Sequence, residues 1–330
     1  MSGRQPDHQT IRAALESAIR APSVHNTQPW RWRLADTTVH LHADTGRQLP
    51  HVDPDGRELL LSCGAALHHL RVAMRASGWA SRVWSLPDPF DARHLAAIEF
   101  EPAAPDAESR RLARAIAMRR SDRRRYGARK VSERQLAAVM AAGIAPGVSI
   151  RAVDTTGEHT RLRRAFAQAG AQHAADPRYC AELASWSGHY ADPLGVPARN
   201  AVSAADPTVR PFGNPGQVES AVAATVESSR MLLICTASND LRAWLRAGES
   251  TSAVLLEATA RGLATCPVTE PLELAETRER IRTALLGDLG YPQLIVRLGW
   301  AAVGADPIPA TPRLPLDTVL RTLESAGAVR

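Results

Sequence analysis

Apolar residues recur along this chain with two periods. Through IRAALESAIR, from Ile11, they return every three to four positions, as on one face of a helix. Over WRWRLA and TTVHLHA they alternate instead, which predicts a β-hairpin turning at Asp36. The helical period resumes from about Asp55 to Ser77, where Leu59, Leu60, Ala66, Leu67, Leu70 and Met74 share a face and Gly78 closes it. WASRVWSLP and LAAIEF read as strands.

A second cycle begins at Asp106. A helix through LARAIAMRR, the polar turn SDRRRYG and a helix over VSERQLAAVM with Ser132 as N-cap precede strands at VSIRAV and MLLICTA, between which HTRLRRAFAQAGAQHAA is helical. GESTSAVLLEATARGLA is the last long helix and leads into TCPVTE. YPQLIVRLGWA is a strand, and the extended PIPATPRLPLDTVL leads to a terminal helix. The stretch 191–216 has no period and is rich in proline and glycine, as functional lids and binding loops often are.

The cycles match in one register. Gly64 and Gly78 correspond to Gly248 and Gly262 with the same offset of 184, and Leu61, Ala76 and Ala80 then meet Leu245, Ala260 and Ala264. Since 330 residues exceed what one core usually fills, the pattern predicts an α+β chain of two tandem units, 1–105 and 106–330.

Composition narrows the class. No apolar run approaches the roughly 20 residues of a membrane span, and MSGRQPDHQT has no leader-like pattern. Cys63, Cys180, Cys235 and Cys266 are scattered singly, which suits reduced thiols and a cytoplasmic location. The net charge of +6 is carried almost wholly by arginine, with Lys130 the sole lysine, and 34 acids offset 40 bases. We read this as compositional bias, with no nucleic-acid partner.

Familiar motifs are few. There is no GxGxxG after a strand, no GxxxxGK[ST] and no GxSxG around Ser23 or any other serine. His40 and His42 point to one face of a strand, with His51 nearby, but no recognised ligand spacing accompanies them and no metal is expected. RRSDRR, Arg119 to Arg124, joins guanidinium groups to a hydroxyl at a helix end. That is either a phosphate site, on which Arg313 of ATPRLP would converge, or a solvated basic turn.

APSVHNTQPW, RRSDR, the glycine-bounded helix before TCPVTE, and GYP followed by PRLP together resemble the nitroreductase-like flavoproteins. From about Ile11 to Leu320 the chain is similar to the acg-type nitroreductases of actinobacteria, in which two nitroreductase units are fused. The resemblance implies a nitroreductase-like fold, a pseudo-dimer within one chain, and FMN as cofactor. Pro22, Ser23, Val24, Asn26 and Gln28 of the first half, and Arg119, Arg120, Ser121 and Arg123 of the second, would form one site between the halves. No twin is expected, because the first half reads DHQTIRAALE where an arginine-serine turn would stand, and the second reads AAGIAPGVSI where Pro-Ser-x-x-Asn would.

By the same resemblance Arg119, Ser121, Arg123 and Arg313 would hold the phosphate. Asn26 and the Pro22–Ser23 backbone would meet the polar edge of the ring, Pro267, Val268 and Thr269 would run along its N5 side, and Gly248 and Glu249 would start the helix beneath it. Residues 186–216 would be a lid over the flavin. Two departures stand out: Tyr126 lies one residue beyond the usual aromatic, and Ser252 and Ala253 replace a Gln-Asn pair. The implied functions are an oxidoreductase passing electrons from NAD(P)H to a nitroaromatic or quinone, or a flavoprotein that sequesters FMN with little turnover.

Overall fold

The computed structural model describes residues 5–190, 192–203, 206–217 and 227–323. The first half builds one sheet. The predicted hairpin is β1 (Trp30–Ala35) and β2 (Thr38–Ala43), antiparallel, with Asp36 at φ 50° in the turn. The strands β3 (Trp79–Ser85) and β4 (His94–Pro102) extend it. α1 (His8–Ala18) and α2 (Arg57–Ala76) bury Ile11, Leu15, Leu67, Leu70 and Met74 with Trp30 and Trp32 in its core. The histidine beside His40 and His42 is His94 of β4, whose Nε2 lies 3.1 Å from His40 Nδ1. No group of His, Cys, Asp and Glu among the described residues has the arrangement of a metal site.

The second half begins with α3 (Ala107–Met118) and α4 (Glu133–Gly143), where Ser132 and Gln135 form a capping box. β5 (Val148–Val153), α5 (Thr156–Ala174) and α6 (Pro177–Ser185) follow, then the short parallel pair β6 (Ser187–His189) and β7 (Val196–Pro197). β8 (Arg230–Thr236), α7 (Leu241–Ala260), β9 (Ala264–Val268), α8 (Glu270–Glu273), α9 (Ala275–Ile281) and β10 (Tyr291–Gly299) complete it. The sheet order is β5-β8-β10-β9. Both faces are buried, which is why MLLICT is a continuous apolar run: Leu232 and Ile234 pack with Leu136, Val139 and Val254, while Leu233 and Cys235 pack with Leu162 and Phe166.

α2 and α7 cross as a pair and are buried around most of their circumference, unlike amphipathic surface helices. The crossing is reciprocal. A Cβ on Gly64 would lie 2.0 Å from Leu245 O, and one on Gly248 would lie 2.1 Å from Leu61 O. His68 Nδ1 meets its counterpart Ser252 Oγ at 2.9 Å, a pair again 184 residues apart. The sequence register is thus a pseudo-two-fold relation in space, and glycine is required where the backbones touch.

Some expectations need correction. α7 starts at Leu241 with Asp240 as N-cap, so Gly248 and Glu249 lie inside the helix at the crossing. The tail is not wholly extended but forms α10 (Leu316–Val319) and β11 (Leu320–Leu323), and residues 324–330 of the expected terminal helix lie outside the described residues. β11 pairs in parallel with β1, Trp32 opposite Leu320, because burying Leu316, Val319 and Leu320 in the first core and closing the β1 edge outweighs the helical period of so short a segment. β11 is thus the one strand from beyond residue 105 that joins the sheet of β1 to β4.

Residues 191, 204 and 205 of the expected lid lie outside the described residues. Its described part packs Val196, Ala201 and Phe212 against Leu49 and Val52 of the first half and Tyr179 and Leu183 of α6. No helix among the described residues is long and apolar enough to cross a membrane.

Candidate functional site

A cavity of about 1180 Å³, its open mouth included, lies between the halves, with Val196 to Phe212 contributing to its lining. Beside four principal stretches of chain, residues of α2, α5, α7, β10 and the tail line it.

The first wall is the turn after α1. Thr27 Oγ1 donates to Val24 O at 2.9 Å, Gln28 N donates to Ser23 Oγ at 3.0 Å, and Val24 N donates to Ser62 Oγ of α2 at 3.0 Å. These bonds hold His25, Asn26 and Gln28 at φ of 41°, 58° and 51°. Three left-handed non-glycine residues so close together are strained backbone of the kind that collects at binding sites. Pro22, Ser23, Val24 and Asn26 line the cavity, and Asn26 Oδ1 is buried there without a partner.

Gln28 does not reach the cavity. Its Nε2 donates to Pro193 O at 2.7 Å and its Oε1 accepts from Leu314 N at 2.9 Å, so it ties the turn to the Pro193 segment and the tail. Asn26 Nδ2 shares Pro193 O at 2.9 Å.

The second wall is the turn after α3. Asp122 N donates to Thr265 O of β9 at 2.8 Å, and Tyr126 Oη to Asp122 O at 3.0 Å. Arg297 of β10 supports it from beneath, its Nη2 donating to Arg123 O at 2.9 Å and Arg124 O at 2.8 Å. Arg119, Ser121 and Arg123 are thereby presented to the cavity. Arg119 is 6% exposed, and neither its Nε nor its Nη1 has a partner. Burial, with Arg120 and Arg123 nearby, lowers its pKa to about 10, so it stays charged at neutral pH.

Arg120 turns back onto Ala117 O and Arg119 O, at 2.9 and 2.8 Å, and is not part of the cavity wall. Arg313 lines the cavity, but its donors are engaged: Ile19 O, Arg20 O and Ala21 O at 3.0, 3.3 and 2.9 Å, and Thr311 O and Pro312 O at 3.2 and 3.0 Å. These five acceptors match the five N–H groups of a guanidinium. Arg313 therefore holds the C-terminal end of α1 and the start of the Pro22 turn, in place of the free phosphate donor expected.

The third wall is the end of β9, where Pro267, Val268 and Thr269 line the cavity. Gly248 and Glu249 are absent from it. Gly248 lies against Leu61, and Glu249 pairs with Arg71 at 2.5 Å. Their place is taken by residues the sequence reading missed, Glu58, Leu61, Ser62 and Ala65 of α2. Their i, i+3, i+4, i+7 spacing was a signal, indistinguishable in sequence from a core stripe.

Residues from Val196 to Phe212 supply the fourth wall. Arg123 Nη1 donates to Asn200 O at 3.0 Å, with its guanidinium 4.8 Å from the Phe212 ring centroid. Arg210, also unforeseen, forms a buried ion pair with Glu273 and donates to Tyr179 Oη. His25 meets Phe212 edge-on at 5.4 Å. Burial, Arg210 and Arg123 push the His25 pKa well below its usual value, so the ring is neutral.

No family model matches the chain. Over 325 residues it is 45% identical to "Putative NAD(P)H nitroreductase Rv3131" of Mycobacterium tuberculosis, covering 97% of this chain and 93% of that protein. It is 40% identical over 319 residues to "Putative NAD(P)H nitroreductase acg" of the same organism, 94% of each chain. Among solved structures, the FMN-dependent nitroreductase NfnB from Mycobacterium smegmatis in complex with NADPH aligns with 66% of this chain and 100% of its own, at 19% identity and a TM-score of 0.43. A nitroreductase with bound FMN from Desulfitobacterium hafniense aligns with 65% and 98%, at 16% identity and a TM-score of 0.41.

Proposed function

The chain belongs to the acg-type nitroreductase family, and from that membership we propose that it is an FMN-binding oxidoreductase with one flavin site per chain, built between its two halves. The observation that carries the reading is Arg119. A buried guanidinium with unpartnered donors is costly unless an anion completes it. Ser121 and Arg123 line the same cavity, so a phosphate there would meet two guanidiniums and a hydroxyl.

The remaining donor set fits a flavin ring. Leu61, Ala65, Val268 and Leu294 offer apolar wall, while Asn26 Oδ1, the Pro22–Ser23 backbone and the Pro267–Thr269 backbone offer polar groups for the ring edge. When bound, FMN supplies two-electron chemistry between NAD(P)H and a nitroaromatic or quinone-type acceptor. The chain binds and orients it, with Phe212 and Arg210 in the wall of the cavity. Arg313 serves the site by fixing the Pro22 turn, and Gln28 by fixing turn to lid.

The lid bonds favour a second reading, sequestration. Pro193 O takes two amide donors, Asn200 O takes Arg123, and Arg210 is locked to Glu273. Flavin released by denaturing purified protein tests binding, with one FMN per polypeptide expected; two would overturn the single site. Anaerobic mixing with NADPH or NADH then tests turnover. Bleaching of the flavin absorbance supports the oxidoreductase, and flavin that stays oxidised, even with residues 192–203 removed, supports sequestration.

A further inference from the structure

Four carboxyl side chains are buried together: Asp53, Glu58, Glu270 and Glu273. Two guanidiniums face them. Arg210 is engaged with Glu273 and Tyr179 Oη. Arg57 donates to the backbone oxygens of Gln293 and Leu272 and makes one 3.1 Å contact to Glu58 Oε1. His173, stacked on Tyr179 with centroids 3.9 Å apart, lies 3.6 Å from Glu270 and 3.8 Å from Glu273, without a hydrogen bond at either ring nitrogen. Acids therefore outnumber the fixed cations.

Glu58 and Glu270 are the two members that line the cavity, and Glu270 is the one held charged, by Arg210. Asp53 is occupied in capping α2, accepting from Glu58 N at 3.0 Å and Leu59 N at 2.8 Å. The Glu58 side chain is 3% exposed, and its Oε2 is buried without a partner. It shares the cavity face of α2 with Leu61, Ser62 and Ala65. Burial and the Glu273 carboxylate outweigh Arg57, Asp53 adds to the rise and Arg210 opposes it; the acid is pushed up to about 8.

We propose that Glu58 is a neutral carboxylic acid whose O–H donates into the cavity, making the part of the cavity beside the start of α2 a site for the uncharged oxygen of a carbonyl- or quinone-type acceptor and excluding carboxylate-bearing ones. The acceptor part of this inference rests on the oxidoreductase reading above. A buried O–H needs an acceptor. A neutral carbonyl oxygen provides one without charge, whereas an anionic ligand would add to a cluster already rich in carboxyls in a low-dielectric pocket.

Infrared spectra of protein carrying ¹³C-labelled glutamate, compared with Glu58→Gln, test the neutral acid with and without flavin. A protonated-carboxyl band at neutral pH, absent from the variant and lost above about pH 8, is expected; its absence overturns the proposal. The second arm uses menadione and a carboxylated naphthoquinone as probes of flavin-loaded protein. Menadione should bind at least about tenfold tighter, and its affinity should fall about tenfold as Glu58 ionises in wild type but not in Glu58→Gln, whose amide still donates. Equal binding of both quinones, or pH-independent menadione binding in wild type, overturns the acceptor site. The band in apoprotein that takes up no FMN would overturn the flavin reading alone.

Discussion

At the scale of single residues, Arg119 and Arg313 show how one side-chain type serves two purposes. The first is buried with donors unpartnered, and the second has five carbonyl partners. Replacing Arg119 with Ala should lower FMN affinity by roughly tenfold to a hundredfold, the loss of a charge-assisted bond of about 1.5–3 kcal/mol. The melting temperature of its apoprotein should hold or rise, because an uncompensated buried charge is removed. Arg313→Ala should instead destabilise the apoprotein by about 3 kcal/mol, since several buried carbonyls lose their donor. Flavin titration with thermal melts of both apoproteins distinguishes them; equal melting losses would overturn the assignment. Glu58 gives a pH dependence with a definite sign. Its folded pKa of about 8 exceeds the ordinary 4.5, so the native state holds a proton that the unfolded chain releases between those values. Its contribution therefore makes stability fall as pH rises through that window. Urea melts of Glu58→Gln should show a shallower decline from about pH 5 to about pH 8 than wild type.

At the scale of elements, the α2–α7 crossing sets the geometry of the cavity, because α2 supplies one of its walls. Ala at Gly64 or at Gly248 would drive a methyl into a backbone carbonyl and should cost about 3 kcal/mol or more at either position. Gly170 of α5, where a Cβ meets nothing within 4 Å, provides the control. Gly170→Ala should stabilise by about 0.5–1 kcal/mol, and chemical denaturation of the three variants checks the contrast. The glycines were legible because a crossing constrains residue type at fixed spacing, and the hairpin, α2 and the strands were legible because burial imposes a period. The start of α7 was not. Gly248-Glu249-Ser250-Thr251 reads as a helix N-terminus, yet those small and polar residues sit at a close helix contact. The site was half legible for the same reason: the Pro22 turn and the arginine-serine turn are local signals, whereas Glu58, Arg210 and Arg297 acquire their roles only from what the fold packs beside them.

At the scale of the molecule, the two halves are interlocked by more than the helix pair. Chain from the second half crosses back as α10 and β11, places Leu316, Val319 and Leu320 in the first core, and covers the outer edge of β1. Arg313 lies just ahead of this crossing, and its bonds to Ile19, Arg20 and Ala21 fix the turn that leads into the cavity. Sheet completion and site geometry therefore depend on the same strap. A chain ending at Pro315 should lose three buried aliphatic side chains, about 1.5–3 kcal/mol each, and uncover a strand edge able to pair with another molecule. Its melting temperature should drop and self-association should appear in light scattering. Retained flavin should fall too, although the Arg119 and Ser121 turn is untouched, because the freed tail no longer holds Arg313 on the opposite wall. A truncated chain that stays monomeric, with its melting temperature and flavin content intact, would mean that the α2–α7 pair alone joins the halves.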